Sequence, residues 1–154
     1  MRKLNFPDYD FRIKEREGKP FIFDPVRKKF VALTPEEWVR QHVIQYLAKD
    51  KNVPLSLIKV ESEFQLLKTR KRFDVAVFNR NGIPLLIVEC KSTSVELSQN
   101  EMDQALRYNM SLKVKYLWLT NGYHHIFCQA DPEKGTISQI HDLPVLNNQN
   151  PGNE

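Results

Sequence analysis

The sequence is most informative at first for what it lacks. Its 154 residues include only two cysteines, Cys90 and Cys128, too few for a disulfide framework. With no secretion signal before them, they are expected to be reduced thiols of an intracellular protein. Five glycines and nine prolines without a period exclude a collagen-like chain. No apolar run approaches the roughly 18 residues needed to span a bilayer. The opening Met1-Arg2-Lys3-Leu4-Asn5-Phe6-Pro7 has no hydrophobic stretch, so it is not a signal peptide. Gly-x-Ser-x-Gly is absent, which removes the commonest serine-hydrolase signature. So is Gly-x-x-x-x-Gly-Lys-Ser/Thr, and ATP-driven translocation is therefore not expected of these residues. A cytoplasmic protein that does not engage membranes is expected.

What remains is ordinary globular material: 41% hydrophobic and 10% aromatic residues, enough for one core and one domain of this length. The net charge of +4 is unevenly spread. Residues 1–77 carry 17 Lys/Arg against 11 Asp/Glu, a balance of +6, and residues 78–154 carry 6 against 8, a balance of −2. Much of the excess sits in Lys68, Arg70, Lys71 and Arg72. Such a cluster favours phosphate backbones, but charge alone fits a solvated loop at least as well.

Residues 11–16 and 21–23 alternate around Gly18 and predict a hairpin, with a further short strand over 29–33. Thr34-Pro35-Glu36-Glu37 predicts a helix start, with Thr34 as cap, Pro35 in the first turn and Glu37 closing a capping box. Val39, Val43, Tyr46 and Leu47 carry that helix to about Lys49. Strands are predicted over 58–66, 72–79 and 84–91, and a second helix from Ser98 to about Ser111. Strands over 115–120 and 123–129 then bracket Asn121-Gly122. The order is that of an α/β sandwich around a mixed sheet. Residues 1–33 form an N-terminal β extension packed on a domain over 34–146, and the polar stretch 147–154 is expected to be a disordered tail.

Asn81-Gly82 is the strongest hairpin signal in the chain. A two-residue loop there pairs Arg80 with Ile83, so paired residue numbers sum to 163. Asp74 then lies opposite Glu89 and Arg72 opposite Lys91. Asp74, Glu89 and Lys91 share one face. Both strands are otherwise apolar on both faces, the pattern of buried central strands. Opposed carboxylates there are costly without a compensating cation. A divalent metal bridged by Asp74 and Glu89 would supply it; Lys91 and Arg72 as a plain ion-pair cluster are the alternative.

Asp74 followed by Glu89-Cys90-Lys91 resembles the Asp…(Asp/Glu)-x-Lys signature of the PD-(D/E)xK nucleases, with Phe73 replacing the usual proline. Gln104-Ala105-Leu106-Arg107-Tyr108 resembles the Gln-x-x-x-Tyr motif of a subset of them. Together with Thr34-Pro35-Glu36-Glu37, Val39-Arg40-Gln41 and Leu119-Thr120-Asn121-Gly122, the chain over about 34–129 resembles the N-terminal nuclease domain of type I restriction enzyme R subunits. The resemblance implies a restriction-endonuclease-like αβββαβ core, a central mixed sheet flanked by helices. It implies Mg2+ or Mn2+ held by Asp74, Glu89 and the main-chain carbonyl of Cys90. Lys91 would position or activate water, and Gln104 and Tyr108 would orient Lys91 or touch a phosphate. Glu37 would complete the acidic site through a water, with Glu36 its rival and a capping role equally able to explain it. Lys68, Arg70, Lys71, Arg72 and Arg107 would meet DNA. A separate motor or recognition subunit is implied as partner. Cutting both strands would need two sites, in a homodimer or in successive visits.

Three functions stay open on the sequence: a metal-dependent deoxyribonuclease, a nucleic-acid-binding or adaptor domain that acts with a partner without cutting, and a structural ion cluster. His124 and His125 form no metal set, since neighbours on a strand point to opposite faces, and His42 lies on the first predicted helix far from any obvious ligand partner. Cys90 is expected to face the core, and Cys128 is isolated.

Overall fold

Thr34 starts the first helix, α1 (Pro35–Gln45), by accepting the Glu37 amide on Oγ1 at 3.0 Å. Only half of the predicted capping box forms. The Thr34 amide goes to Ala32 O, and the Glu37 carboxylate turns elsewhere. Beyond Gln45 the helix widens into a π-helical stretch, Tyr46–Asp50, and stops at Asn52, whose φ of 56° no helix continues. The computed structural model describes residues 2–66, 69–131 and 133–146, and within 62–72 and 108–112 the backbone alone.

Upstream, strands β1 (Ile13–Arg16), β2 (Lys19–Asp24) and β3 (Lys29–Ala32) form the predicted hairpin and third strand as a separate antiparallel sheet. Downstream come β4 (Ile58–Leu66), β5 (Thr69–Phe78), β6 (Pro84–Cys90), a second helix α2 (Gln99–Leu112), then β7 (Tyr116–Thr120), β8 (His125–Asp131) and β9 (Thr136–Ile140). They build a six-stranded mixed sheet in sequence order, antiparallel except where α2 carries the chain from β6 to a parallel β7. Ser98 caps α2 through the Glu101 amide at 3.1 Å. β9 is an addition to the predicted elements; its mostly exposed edge sequence offers little hydrophobic alternation to read. The expected tail over 147–154 lies outside the described residues. Among the described residues, no helix is long and apolar enough to cross a membrane.

Each helix covers one face of the large sheet. Val39 and Val43 of α1, with Leu47 of the π-helical stretch, pack with Val75, Val77, Leu86, Val88, Cys90 and Trp118. Ala105 and Leu106 of α2 pack against Phe73, Ile87, Leu117 and Cys128. Cys90 is buried in the first of these cores, as its strand position predicts.

The N-terminal segment is strapped over the outside of α1. The indole of Trp38 donates to Arg2 O at 2.8 Å, and Asn5 N donates to Gly122 O at 2.8 Å. Gly122 has φ 92°, and a Cβ there would meet Leu4 at 3.0 Å, so this turn requires glycine. Two histidines lock the strap. His42 Nδ1 donates to Trp38 O at 2.8 Å. His125 accepts the Trp118 indole N–H on Nδ1 at 3.2 Å and donates from Nε2 to Asn5 O at 2.8 Å.

Burial lowers the pKa of both histidines below the ordinary value. Each binds its proton more readily once unfolded. Their stabilising contribution is therefore present above the unfolded value near 6.5 and declines as pH falls below it. Urea titrations at pH 7.5 and 5.5 are expected to show a lower midpoint at pH 5.5. In a His125→Gln variant that difference shrinks; an unchanged difference counts against this role.

Candidate functional site

The predicted β5–β6 register is present, with Val75 opposite Val88, Ala76 opposite Ile87 and Val77 opposite Leu86. The turn that led to it is different. Phe78 pairs with Pro84 across a register shift, and Asn79 organises a longer loop. The Asn79 Oδ1 accepts both Asn81 N and Ile83 N at 2.9 Å, while Asn79 N donates to Ile83 O at 2.8 Å. Arg80 and Ile83 are therefore not a hairpin pair. The bulge between Val77 and Phe78 offsets the longer loop and returns the strands to the same alignment.

Alternation breaks at Asp74. Phe73 packs on the α2 side of the sheet and Val75 on the α1 side, although two residues apart on a regular strand share a face. On the neighbouring strand Val60 pairs with Val75 and Ser62 with Phe73, which skips Glu61, whose φ is 53°. A non-glycine residue in that region stores backbone strain, and such strain gathers at functional sites. The expected placement of Asp74, Glu89 and Lys91 on one regular face is thus replaced by an irregularity that re-aims Asp74. Its Oδ2 accepts the Cys90 amide at 2.7 Å, where a ladder would use a main-chain carbonyl. On its other edge β6 is held by β7, with Glu89 opposite Leu119 and the Lys91 amide donating to Thr120 O at 2.8 Å.

Helix α1 meets this point with its first two turns. Arg40 Nη2 lies 3.3 Å from Asp74 Oδ1 and 3.4 Å from Glu36 Oε1, and its Nη1 lies 2.7 Å from Glu37 Oε1. Burial raises the Glu36 pKa first, and the Asp74 charge and a hydrogen bond with Asp74 raise it further; Arg40 and Lys91 pull the other way. Glu36, Asp74 and Lys91 are therefore electrostatic neighbours. Burial alone would lower the Arg40 pKa, but the charges of Glu37 and Asp74 keep it above its ordinary value. Burial also pushes the Cys90 thiol well up, and its side chain packs in the core beneath α1, which leaves its main-chain carbonyl as the candidate ligand.

Glu37 does not join this acidic pair. Its Oε1 takes Arg27 at 2.8 Å and Arg40 at 2.7 Å, and its Oε2 takes Arg27 at 2.9 Å and Gln41 at 3.0 Å. With its carboxylate 7% exposed, Glu37 is a structural hub, and its helix neighbour Glu36, 48% exposed, faces Asp74. Gln104 and Arg107 are exposed on α2. The Tyr108 side chain lies outside the described residues, as do Lys68 and the side chains of Arg70, Lys71 and Arg72. The backbones of 70–72 belong to β5 and pair with Gln65, Phe64 and Glu63.

Three participants went unassigned in the sequence reading: Arg27, Arg40 and Glu61. Arg40 follows Glu36 and Glu37 at i+4 and i+3, a spacing that announces helical ion pairs. Arg27 and Glu61 reach the cluster from distant segments, and no local spacing marks them.

The oxygen donors of Asp74 and Glu36, at the end of the strand that bears Glu89, are of the kind a hard divalent cation takes. Two carboxylates pressed together, one with its pKa raised, are a charge arrangement that a cation would relieve. Among the described residues, no three His, Cys, Asp or Glu side chains are already gathered as a ligand set.

A profile of the family described as type I restriction enzyme R protein N terminus matches residues 35–144. The chain is 32% identical over 68 residues to the type I restriction enzyme EcoAI endonuclease subunit of Escherichia coli, a match covering 44% of this chain and 8% of that protein. Its fold is similar to a fragment described as an HsdR subunit of a type I restriction enzyme from Vibrio vulnificus YJ016. The TM-score is 0.51 at 23% identity, over 73% of this chain and 24% of that one. The chain thus spans a small part of the relatives it matches.

Proposed function

This chain belongs to the family of type I restriction enzyme R protein N termini, and on that premise we propose that it is a Mg2+-dependent domain hydrolysing phosphodiester bonds in DNA. The observation that carries the reading is the meeting of Asp74 and Glu36, from β5 and α1, beside Lys91 and at the end of the strand that bears Glu89. Asp74, Glu89 and the Cys90 carbonyl would hold Mg2+ or Mn2+, and Glu36 takes the helix-acid place first given to Glu37. When bound, the metal supplies a Lewis acid for the phosphate and a more acidic water.

The protein's own groups do the rest. The Cys90 amide fixes Asp74 Oδ2, which leaves Oδ1 on the side where Glu36 and Arg40 converge. Lys91 orients the attacking water and places positive charge where the phosphate oxygens gain negative charge. Gln104 and Arg107, exposed on α2, and the basic segment 68–72 contact the nucleic-acid backbone. The relatives are named as subunits of restriction enzymes, so a separate motor or recognition subunit is part of the proposal.

The test is nicking of plasmid and cleavage of single-stranded DNA with Mg2+ or Mn2+, with calorimetric metal binding in parallel. Asp74→Asn keeps an oxygen for the Cys90 amide while removing the charge, and it is expected to lose cleavage and metal binding without unfolding. A wild-type protein that neither cuts nor binds metal would sink the enzyme reading. One contact favours a second reading, a non-cutting adaptor: Arg40 already neutralises Asp74 Oδ1 at 3.3 Å. DNA binding with steep salt dependence, unaltered by Asp74→Asn and without cleavage, would select it.

A further inference from the structure

The three-stranded sheet that precedes α1 sends one side chain to the site. Asp24, fully buried at the end of β2, accepts the Val26 amide at 2.7 Å and the Arg27 amide at 3.0 Å, shaping the turn into β3. Its second oxygen holds Arg27 Nε. Thus oriented, Arg27 reaches both oxygens of Glu37 with Nη2. Glu37 holds Arg40, and Arg40 meets Asp74 and Glu36. Charges alternate along the whole path from Asp24 to Asp74. Glu61 touches the same two arginines loosely from β4, at 3.8 Å each.

We infer that Arg27 is a positioning residue: it clamps Glu37 so that Arg40 is presented to Asp74 in one orientation, making the N-terminal sheet a working part of the site. Stability is a poor reason for this chain of ions. Buried pairs seldom improve on apolar packing of the same volume, and their best attested use is to specify one geometry. Three features fit that use. Glu37 and Arg40 have side chains 7% exposed and Arg27 one that is 19% exposed, so little water reaches Glu37 and Arg40 to substitute for a lost partner. Arg27 bridges two carboxylates, Asp24 through Nε and Glu37 through Nη2, a planar two-nitrogen reach that a single lysine ammonium cannot reproduce. The end point is Asp74, whose other oxygen is already fixed by the Cys90 amide. Arg40 is the cation that sets the first, with Glu36 beside it. Partners of this kind typically change metal affinity by about ten- to a hundredfold when removed.

The effect on metal rests on the nuclease reading; the effect on Arg40 does not. The experiment therefore reads both in Arg27→Ala, with exposed Lys29→Ala at the start of β3 as control. Nitrogen-15 NMR of the Arg40 guanidinium should show separate Nη signals in the wild type, from hindered rotation, and their collapse in Arg27→Ala. Calorimetry with Mn2+ should show affinity reduced by roughly tenfold in the variant, with Lys29→Ala unchanged. Arg40 signals identical to wild type overturn the inference, and so does a collapse of those signals with unaltered Mn2+ affinity. If the wild type binds no Mn2+, the nuclease reading fails and the Arg40 signals alone decide the inference. Should Arg27→Ala not fold, Arg27→Lys takes its place, with partial collapse expected and full wild-type behaviour overturning the inference.

Discussion

Glu37→Gln is expected to cost about 3–5 kcal/mol of folding stability, while Glu36→Gln costs none and removes the chemistry. The two residues are adjacent, share a charge and sit in the same helical turn, so composition and spacing give them equal standing. Their surroundings do not. The Glu37 carboxylate is buried between Arg27, Arg40 and Gln41, and removing its charge leaves the buried Arg40 and the half-buried Arg27 without the carboxylate they share. The loss is a large share of the roughly 5–15 kcal/mol that holds a typical domain together.

Glu36 is half exposed, and burial and the neighbouring Asp74 raise its pKa. A carboxyl whose folded pKa is raised binds its proton more tightly when folded, so its ionised form at neutral pH opposes folding. Glu36→Gln removes that repulsion. The urea midpoint should hold or rise at pH 7, and the difference from wild type should vanish in acid, where Glu36 is itself protonated. Metal binding and cleavage, measured on the same samples, should fall. A Glu37→Gln protein that melts with the wild type, or a Glu36→Gln protein that melts well before it, refutes this division of labour.

Trp118→Ala is the second large effect, also about 3–5 kcal/mol. The indole is 1% exposed and lies within 6.0 Å, ring centre to ring centre, of Phe6, Tyr46, His125 and Phe127. Its removal opens a cavity where β7, β8, α1 and the N-terminal strap meet, and takes away the donor that fixes the His125 ring. Denaturant unfolding should show a lower midpoint with little change in slope, since the surface exposed on unfolding is nearly the same. Leu55→Ala, 42% exposed in the wild type, is the matched control and should shift stability by no more than about 0.5 kcal/mol. Equal losses for the two would mean that Trp118 is not a central packing element.

Much of this structure was legible along the chain, for identifiable reasons. Helix starts were readable because a cap acts within three residues: Thr34 and Ser98 both accept the amides that their positions predict. The burial of β5 and β6 was readable because their residues are apolar on both faces, the pattern of central strands. The β5–β6 register was correct although its supposed turn was not, because two local departures, a longer Asn79 loop and a bulge before Phe78, compensate. A regular pleat, however, cannot foresee the break at Asp74, which depends on how β4 opposes it at Glu61. The choice between Glu36 and Glu37 was illegible for a related reason. It is made by Arg27, reaching in from ten residues upstream through a separate sheet.

The sequence by itself determined the sparse features: two cysteines, too few for a disulfide framework, with Cys90 turned to the core, no run long enough to span a bilayer, and adjacent central strands that bring Asp74 near Glu89 and Lys91. Those are consequences of composition and short-range periodicity, which act through neighbours in the chain. Only the tertiary structure decided which acid on α1 faces Asp74, that Arg40 stands against it, and that the N-terminal sheet reaches the site through Arg27. Ion pairs between distant segments depend on burial and on separations of a few ångströms, and neither is written in the spacing of residues along a chain.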